Sequence, residues 1–282
     1  MPVLSIAHLS VDYLAGRGVH AVRDVSLEVG RGEILGLAGE SGCGKSTLAY
    51  AVTRLLTPPA LVTSGEIVFH SREGYDIDIR ALTGADLRDF RWDKVAMVFQ
   101  GAMNSLNPVI TIGRQIDDVF TTHRPAMTRS ERRERAAELL TTVGVDPIRL
   151  NSFAHELSGG MRQRVMIAMA LALDPQVLIM DEPTTALDVV VQREILDEIT
   201  RLRHERGFAV IFITHDLQLL LEISDRIAIM REGAIVELNQ AVDLYAHPRE
   251  PYTRMLLDSF PSLTGQRGGF VRTGRGDEEE RP

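Results

Sequence analysis

The chain has 282 residues, of which 44% are hydrophobic and 25% charged, so it has the composition of a globular protein with room for one large or two modest domains. Its formal net charge of −8 argues against a general nucleic-acid-binding surface. The single cysteine, Cys43, excludes a disulfide framework, a cysteine zinc site or an iron–sulfur cluster built within the chain, and it favours a reducing, cytosolic compartment.

No segment is expected to cross a membrane. The longest uninterrupted apolar stretch, VMIAMALAL from Val165 to Leu173, is far shorter than the ~20 residues needed to span a bilayer. The N-terminal MPVLSIAHLSVDY lacks a basic segment followed by an apolar one, so no secretory signal is predicted. Any role at a membrane is therefore expected to depend on partner proteins.

The first informative stretch is GESGCGKST, from Gly39 to Thr47, which joins the strand-type EILGLA to the helical STLAYAVTRLL. Glycines at this spacing let successive backbone N–H groups approach phosphate oxygens, and the following helix adds the positive end of its dipole. Lys45 is predicted to neutralise the β and γ phosphates and Ser46 to ligate magnesium. The alternative is a glycine-rich turn with an exposed lysine, which the strand-to-helix context disfavours. The predicted nucleotide-binding residues are Gly39, Glu40, Ser41, Gly42, Cys43, Gly44, Lys45, Ser46 and Thr47.

Strand-type and helical segments alternate along most of the chain. The strand-type segments are EILGLAG, GEIVFH, VAMVFQ, QVLIMDEP and AVIFITHD, and helical stretches separate several of them. This alternation predicts an α/β fold with a mainly parallel sheet covered by helices. Between VAMVFQ and QVLIMDEP the pattern turns helical, in RSERRERAAELLTTVG and MRQRVMIAMALAL, which predicts a helical insertion into the sheet.

The stretch QVLIMDEPT is a buried strand that delivers two carboxylates, Asp181 and Glu182. At the carboxyl end of a parallel strand, Asp181 can hold a magnesium complex and Glu182 can polarise the attacking water. Acids at strand ends are often only solvated turns, and the phosphate loop is what favours the catalytic interpretation here.

Three further side chains support a nucleotide site only when they are considered together. His215 in VIFITHD could touch the γ phosphate and orient Glu182, although a histidine alone is more often packed or exposed. Gln100 at the end of VAMVFQ could reach both magnesium and water. Tyr13 in LSVDYLAG offers a ring for adenine stacking, and core packing is the alternative.

A second glycine-lined helix N-terminus occurs in LSGGMRQRVMIAMALAL, where Ser158, Gly159 and Gly160 precede a helical stretch. No strand leads into it and no lysine follows it. Because one nucleotide needs one cradle, this segment would suit a phosphate bound elsewhere, for example on another subunit. The alternative is a simple capped helix.

Near the end of the chain, RIAIMREGAIVEL predicts a hairpin that turns at Glu232 and Gly233. It is followed by HPREPYTRMLLDSF and by GQRGGFVRTGRGDEEERP, whose glycine and charge content predicts disorder.

The order of these motifs resembles that of ATP-binding cassette (ABC) ATPases. GESGCGKST, Gln100, LSGGMRQR, VLIMDEPT, TALD and His215 are similar to the Walker A, Q-loop, signature, Walker B, D-loop and H-loop of that family. The resemblance implies a P-loop NTPase with a RecA-like parallel sheet core, an N-terminal antiparallel β part and a helical insertion. It also implies ATP and Mg²⁺ as cofactors, with Ser46, Gln100 and Asp181 at the metal. It further implies a head-to-tail ATP sandwich, in which a second subunit's nucleotide contacts the signature residues and the D-loop residue: Ser158, Gly159, Gly160, Met161 and Asp188.

The resemblance also predicts a division of the chain. An ABC-type ATPase domain covers 1–260, with a nucleotide-binding core at 1–100 and 172–240, a helical insertion carrying the signature at 101–171 and a C-terminal extension at 241–260. Residues 261–282 form a flexible tail.

Two stretches indicate which class of ABC ATPase the chain resembles. NSLNPVITIGRQI and HPREPYTRMLLDSFPSL resemble ATPases of the peptide and nickel importers, although Gly101 and Ala102 replace the usual acidic residue and proline, and the tail lacks cluster-binding cysteines. This implies two membrane permease subunits, whose cytosolic helix the insertion would grip, a second and different ATPase, an extracytoplasmic binding protein and no nucleic acid, at the cytoplasmic face of the membrane. The cargo stays open among peptides, nickel chelates and oligosaccharides. A soluble cassette acting on DNA or the ribosome is the alternative from another class, and export is a third.

Overall fold

The computed structural model describes residues 1–14, 18–185 and 187–259. Within these ranges the chain forms ten strands in two sheets. In chain order they are β1 (Pro2–Tyr13), β2 (Val19–Gly30), β3 (Ile34–Ala38), β4 (Ala60–His70), β5 (Asp76–Asp78), β6 (Val95–Val98), β7 (Val177–Asp181), β8 (Ala209–Ile213), β9 (Arg226–Arg231) and β10 (Ala234–Gln240).

The same ranges contain nine α-helices, with short 3₁₀ turns between some of them. In chain order the helices are α1 (Lys45–Val52), α2 (Gly84–Asp93), α3 (Ile112–His123), α4 (Arg129–Thr142), α5 (Gly159–Ala170), α6 (Val189–Arg206), α7 (Leu217–Ile223), α8 (Ala241–Ala246) and α9 (Pro251–Asp258). The helical stretches predicted after Lys45, in the insertion and around QREILDEITRLRHERG are thus confirmed.

The larger sheet has the strand order β10-β9-β3-β8-β7-β6, in which only β10 runs antiparallel to its neighbour. β3, β7 and β8 are buried along their whole length. Unbroken apolar runs of this kind are typical of parallel strands that are covered on both faces. The predicted mainly parallel sheet is confirmed.

The smaller sheet is antiparallel, in the order β2-β1-β4-β5, and supplies the expected N-terminal antiparallel part. One expectation was wrong here. GEIVFH, which we grouped with the strands of the parallel sheet, is the end of β4 and pairs with β1 and β5. Its buried residues, Ile67 and Phe69, alternate with more exposed ones, which is the pattern of a strand covered on one face only.

The core lies on both faces of the parallel sheet. Val210 and Phe212 of β8 belong to a cluster that includes the buried faces of α3, α4 and α5. Ile211 and Ile213 of the same strand point the other way, into a cluster shared with α1 and the antiparallel sheet. Because side chains alternate along a strand, one apolar run fills both layers. The sheet is therefore fixed between the helical insertion and the N-terminal sheet.

The hairpin between β9 and β10 turns at Glu232 and Gly233, as predicted. Beyond it, α8 and α9 lie within the predicted C-terminal extension. The predicted tail, 261–282, lies outside the described residues. The domain boundaries stay predictions.

Candidate active site

The predicted site residues lie at the carboxyl ends of neighbouring parallel strands. Leu37 of β3 is level with Ile213 of β8, and Ile213 is level with Asp181 of β7. Val98 of β6 pairs with Met180 of β7. Strands in this register deliver the segments that follow them to one edge of the sheet. The phosphate loop, the acidic pair, Gln100 and His215 therefore leave the sheet at the same edge.

The loop from β3 to α1 turns sharply at glycine. Gly39 has φ +149° and Gly44 has φ +108°, values that side-chain-bearing residues rarely adopt. A Cβ atom on Gly39 would lie 2.1 Å from the Met230 carbonyl oxygen, and one on Gly44 would lie 2.2 Å from the Ala21 carbonyl oxygen. Both glycines are therefore required for the loop to pack against β9 and β2.

Lys45 begins α1 and is 6% exposed. Its Nζ donates hydrogen bonds to the carbonyl oxygens of Gly39 at 2.7 Å and Glu40 at 2.8 Å. Nζ also lies 3.6 Å from Cys43 Sγ, so the ammonium lies inside the curve of its own loop. An anion there would gain a charge-assisted partner that these carbonyls do not provide.

The rest of the loop divides into an exposed turn and a buried base. Glu40, Ser41 and Gly42 are exposed, and Ser46 and Thr47 are half-buried. Cys43 is 7% exposed and belongs to the core under the loop, so its backbone rather than its thiol is available to a ligand at the loop. Its carbonyl oxygen accepts a hydrogen bond from the Gly233 N–H at 3.0 Å.

Asp181 ends β7 and is 1% exposed. Neither of its carboxylate oxygens has a hydrogen-bond partner of normal geometry among the described residues. Burial raises the pKa of Asp181, the nearby Ser46 hydroxyl offsets part of the rise, and the charge of Glu182 adds to it. A buried carboxylate without a partner is costly, so this arrangement fits a hard cation that takes oxygen ligands.

Glu182 is held by three side chains from different parts of the chain. His215 Nδ1 lies 3.0 Å from Oε1, the Thr185 hydroxyl donates to Oε2 at 2.9 Å, and Gln100 Nε2 approaches Oε2 at 3.5 Å. Burial favours the neutral acid, but the hydrogen bonds from His215 and Thr185 outweigh it, so the pKa of Glu182 is lowered. The carboxylate is therefore charged at neutral pH.

The Glu182 backbone is also unusual, with φ +45°. Such values in residues other than glycine cluster at functional sites, where the surroundings hold them in place. Here the N–H of Glu182 donates to the Ile213 carbonyl oxygen at 2.9 Å, which ties the turn to β8.

Tyr13 is the last residue of β1 and is half-buried. It lies near Tyr50 of α1, whose phenol has a pKa raised by burial and further by Asp181 and Tyr13. The Tyr50 ring lies 6.2 Å from that of Phe99, the residue before Gln100. Tyr13 therefore belongs to an aromatic cluster with Tyr50 and Phe99, and adenine stacking on Tyr13 stays a prediction.

The second glycine segment is built differently. Ser158 caps α5, since its Oγ accepts a hydrogen bond from the Met161 N–H at 3.2 Å. Asp188 caps α6 in the same way, through the Val191 N–H at 2.9 Å. A Cβ on Gly160 would lie 2.6 Å from Val191 Cγ1, so α5 and α6 pack closely there.

No hydrogen bond or ion pair within the described ranges joins Ser158, Gly159, Gly160 or Met161 to the phosphate loop or to Glu182. The structure thus brings together Lys45, Asp181, Glu182, Gln100 and His215, but it does not connect the second cradle to them.

Sequence reasoning missed two residues of this region. Thr185 holds Glu182 and could have been found from its place three residues further along the same turn. No local sequence pattern indicates a role for Tyr252. Its hydroxyl accepts a hydrogen bond from the Glu40 N–H, which lies 212 residues away in sequence.

Among the described residues, no helix is both long and apolar enough to span a membrane.

The comparisons with known proteins agree with one another. The family described as ABC transporter matches residues 22–185. A probable peptide ABC transporter ATP-binding protein of Sinorhizobium fredii is 44% identical over 263 residues, covering 92% of this chain and 77% of the relative. The oligopeptide transport ATP-binding protein OppD of Lactococcus lactis subsp. cremoris is 42% identical, covering 92% and 76%.

Solved structures give the same family. A dimeric ATP-binding cassette in a post-hydrolysis state, bound to ADP and Pi, matches with a TM-score of 0.72 at 30% identity, over 84% of this chain and 98% of that chain. The predicted P-loop NTPase fold and the resemblance to ABC ATPases are confirmed. The chain therefore belongs to the ABC transporter family, as a cassette that binds and hydrolyses ATP.

Proposed function

We propose that the chain is the ATP-hydrolysing subunit of an importer that takes up peptides or a related solute. The observation that carries this proposal is the convergence of Lys45, Asp181 and Glu182 at one sheet edge, in a chain whose relatives are named for peptide transport. Phosphoryl transfer to water needs a phosphate cradle, a buried acid at the metal and a carboxylate that is fixed near the attacking water. Lys45 and its loop, Asp181 and Glu182 match these three parts.

In this proposal the backbone of Gly39–Thr47 cradles the ATP phosphates, Lys45 neutralises the β and γ phosphates, and Tyr13 stacks on adenine. Mg²⁺ would be held by Ser46, Asp181 and Gln100, and when bound with ATP it neutralises negative charge on the phosphates. The two unpartnered oxygens of Asp181, with the Ser46 hydroxyl close to them, support this placement.

Glu182 orients the attacking water and accepts its proton. His215 holds the Glu182 carboxylate through Oε1, while Gln100 approaches through Oε2. Because Thr185 also donates to Oε2, the carboxylate is fixed before substrate arrives. Preorganised groups of this kind avoid reorganisation at the moment of reaction.

The second cradle acts in trans. Ser158, Gly159, Gly160 and Met161 bind the γ phosphate held by another ATPase subunit, and Asp188 lies at the same contact. This is supported by their lack of hydrogen bonds to this chain's own phosphate loop within the described residues. Closure of such a pair on ATP, and opening after hydrolysis, would supply the conformational work.

The proposed partners are two integral membrane permease subunits, a second and different ATPase, and an extracytoplasmic binding protein. The helical insertion at 101–171 contacts the permeases, and the core at 1–100 and 172–240 holds nucleotide. The chain would then lie peripherally at the cytoplasmic face of the membrane.

Purification of the tagged chain from detergent-solubilised membranes tests this assignment. We expect two integral membrane proteins and a second ATPase to co-purify, with the solute identified by mass spectrometry on the associated binding protein. Recovery with ribosomes or nucleic acid, released by salt, would instead favour a soluble cassette of another class.

Replacement of Ser158 by Arg tests the trans assignment. ATP binding by the isolated chain is expected to stay within about twofold of wild type, because Lys45 and its loop are untouched. In the assembled complex, the cation would occupy the partner's γ-phosphate position and leave the partner's nucleotide unhydrolysed. Photo-crosslinking of ATP, followed by analysis of each subunit, measures which site is blocked.

Thr128→Arg is the matched control. Thr128 caps α4 as Ser158 caps α5, so it reproduces the loss of a helix cap, which costs about 0.5–2 kcal/mol. Normal hydrolysis at both sites is expected for it. Loss of ATP binding by the isolated Ser158→Arg chain, with the fold intact, contradicts the trans assignment.

A further inference from the structure

Helix α9 lies beside the phosphate loop. A crevice of about 530 Å³ separates part of the helix from the loop, with Ser41 on one wall and the half-exposed Met255 on the other. Across it, the Tyr252 hydroxyl accepts a hydrogen bond from the Glu40 N–H at 3.2 Å. This hydrogen bond joins α9 to the backbone of the loop.

The Tyr252 ring is held firmly. It is 5% exposed, and the Arg231 guanidinium lies over it, 4.9 Å from the ring centroid. A cation over an aromatic face is attracted by the ring's electron distribution. Burial raises the pKa of Tyr252, so its oxygen stays a neutral hydroxyl that can accept from an N–H. Because Arg231 ends β9, the ring is fixed to the sheet.

The helix itself is anchored to the sheet by a buried acid. Glu237 of β10 is 8% exposed, and its carboxylate accepts hydrogen bonds from the N–H groups of Arg249 at 2.9 Å and Glu250 at 3.1 Å. Although burial opposes the charge, these and other hydrogen bonds lower the pKa of Glu237. A negative charge at a helix N-terminus is favourable, so α9 is held in one position.

The hydrogen bond that Tyr252 accepts comes from a peptide group that Lys45 also contacts. The Glu40 N–H and the Gly39 carbonyl oxygen belong to the same peptide unit, and Lys45 Nζ donates to that oxygen at 2.7 Å. One end of the unit is therefore held by Tyr252 and the other by Lys45. Because a peptide unit is planar, fixing its N–H also fixes the direction of its carbonyl.

We infer that Tyr252 is a positioning residue for the phosphate loop: its hydroxyl fixes the Gly39–Glu40 peptide, and through it the place of the Lys45 ammonium. This rests on the proposed role of the loop in holding ATP. Without the hydroxyl, only Lys45 holds this peptide, and ATP binding must then restrict its remaining freedom. A net hydrogen bond of ordinary strength corresponds to about threefold to tenfold weaker ATP binding.

Tyr252→Phe in the full chain tests this. The ring and its contact with Arg231 remain, and only the hydroxyl is lost. We expect the Kd for MgATP and the KM to rise about threefold to tenfold, with kcat within about twofold of wild type. Tyr245→Phe on α8 is the matched control, because the Tyr245 hydroxyl has no hydrogen-bond partner within the described ranges, and we expect it to change neither constant.

The outcomes are distinct. A Tyr252→Phe chain with unchanged Kd and KM overturns the inference alone, provided that wild type binds ATP and Lys45→Met does not. A fall in kcat at unchanged KM also overturns it, because that pattern reports a smaller folded fraction rather than a displaced loop. Failure of the wild-type chain to bind ATP would overturn the inference together with the proposed function.

Discussion

Glu182→Gln is expected to lower kcat for ATP hydrolysis by about 10²- to 10⁴-fold, the range typical for loss of a group that moves a proton in the transition state. The amide keeps nearly the same shape and can still meet Thr185 and His215. It has no negative charge with which to orient water or take its proton. ATP binding is expected to persist, because Lys45 and the loop are unaltered. Single-turnover hydrolysis and equilibrium binding measure the two effects separately.

Glu66→Gln is a matched control for this change. Glu66 is an exposed residue of β4 in the antiparallel sheet, and its replacement by Gln also exchanges a carboxylate for an amide. The kcat of the Glu66→Gln variant is expected to equal that of wild type. Near-normal hydrolysis by Glu182→Gln at this subunit's own site would assign the catalytic base to another residue.

Lys45→Met is expected to weaken ATP binding by about 10- to 150-fold, since hydrogen bonds to charged groups contribute about 1.5–3 kcal/mol. Methionine keeps most of the buried aliphatic volume of a side chain that is 6% exposed, so the loss should reflect the ammonium rather than a cavity. Binding of ligand to the folded state raises the unfolding temperature, so the shift that ATP causes in wild type should be lost in the variant.

Lys94→Met is the control for this variant. Its ammonium lies 3.3 Å from Asp93, and its side chain contacts no residue of the loop in the described ranges. We expect the ATP-induced rise in unfolding temperature to be retained. If Lys45→Met showed the same rise as wild type, the loop would not be the phosphate cradle, and the proposed roles at this edge of the sheet would fall with it.

Glu182→Gln and Lys45→Met should also differ in the nucleotide state of the assembled complex. With Glu182→Gln the nucleotide stays bound and the assembled complex is held closed, whereas Lys45→Met prevents loading of the same site. Ser158→Arg should affect the partner's nucleotide instead. A single site formed wholly within one chain predicts that all three changes act on the same nucleotide.

The local motifs could be predicted from sequence because their physical requirements are local. A glycine turn and a helix N-terminus form the loop at Gly39–Thr47 within nine residues, directly after β3. The spacing alone indicates how the N–H groups of the loop can gather. The unbroken apolar runs before Asp181 and His215 identified strands of a covered parallel sheet. The hairpin at Glu232 and Gly233 could also be predicted, because its turn residues and both of its strands are close together in the chain.

Longer-range arrangements could not be predicted in this way. GEIVFH was placed in the wrong sheet, because its partners, β1 and β5, are chosen by the packing of whole sheets and not by its own six residues. Cys43 was placed among the predicted nucleotide-binding residues by its position in the motif. Its burial under the loop depends on β9 and on the core around it.

The sequence by itself determined the motifs, their order, the α/β class and the family, because each rests on residues close together in the chain. The sequence also predicted that His215 could orient Glu182, and the 3.0 Å contact agrees with this. Only the tertiary structure decided that Gln100 approaches the same carboxylate, since it reaches Glu182 from the end of a separate strand. It alone also placed Tyr252 on the Glu40 N–H, because a contact between distant residues forms only when the sheet and α9 have packed. Local pattern fixes which chemical groups are available, and packing between distant segments fixes which of them meet.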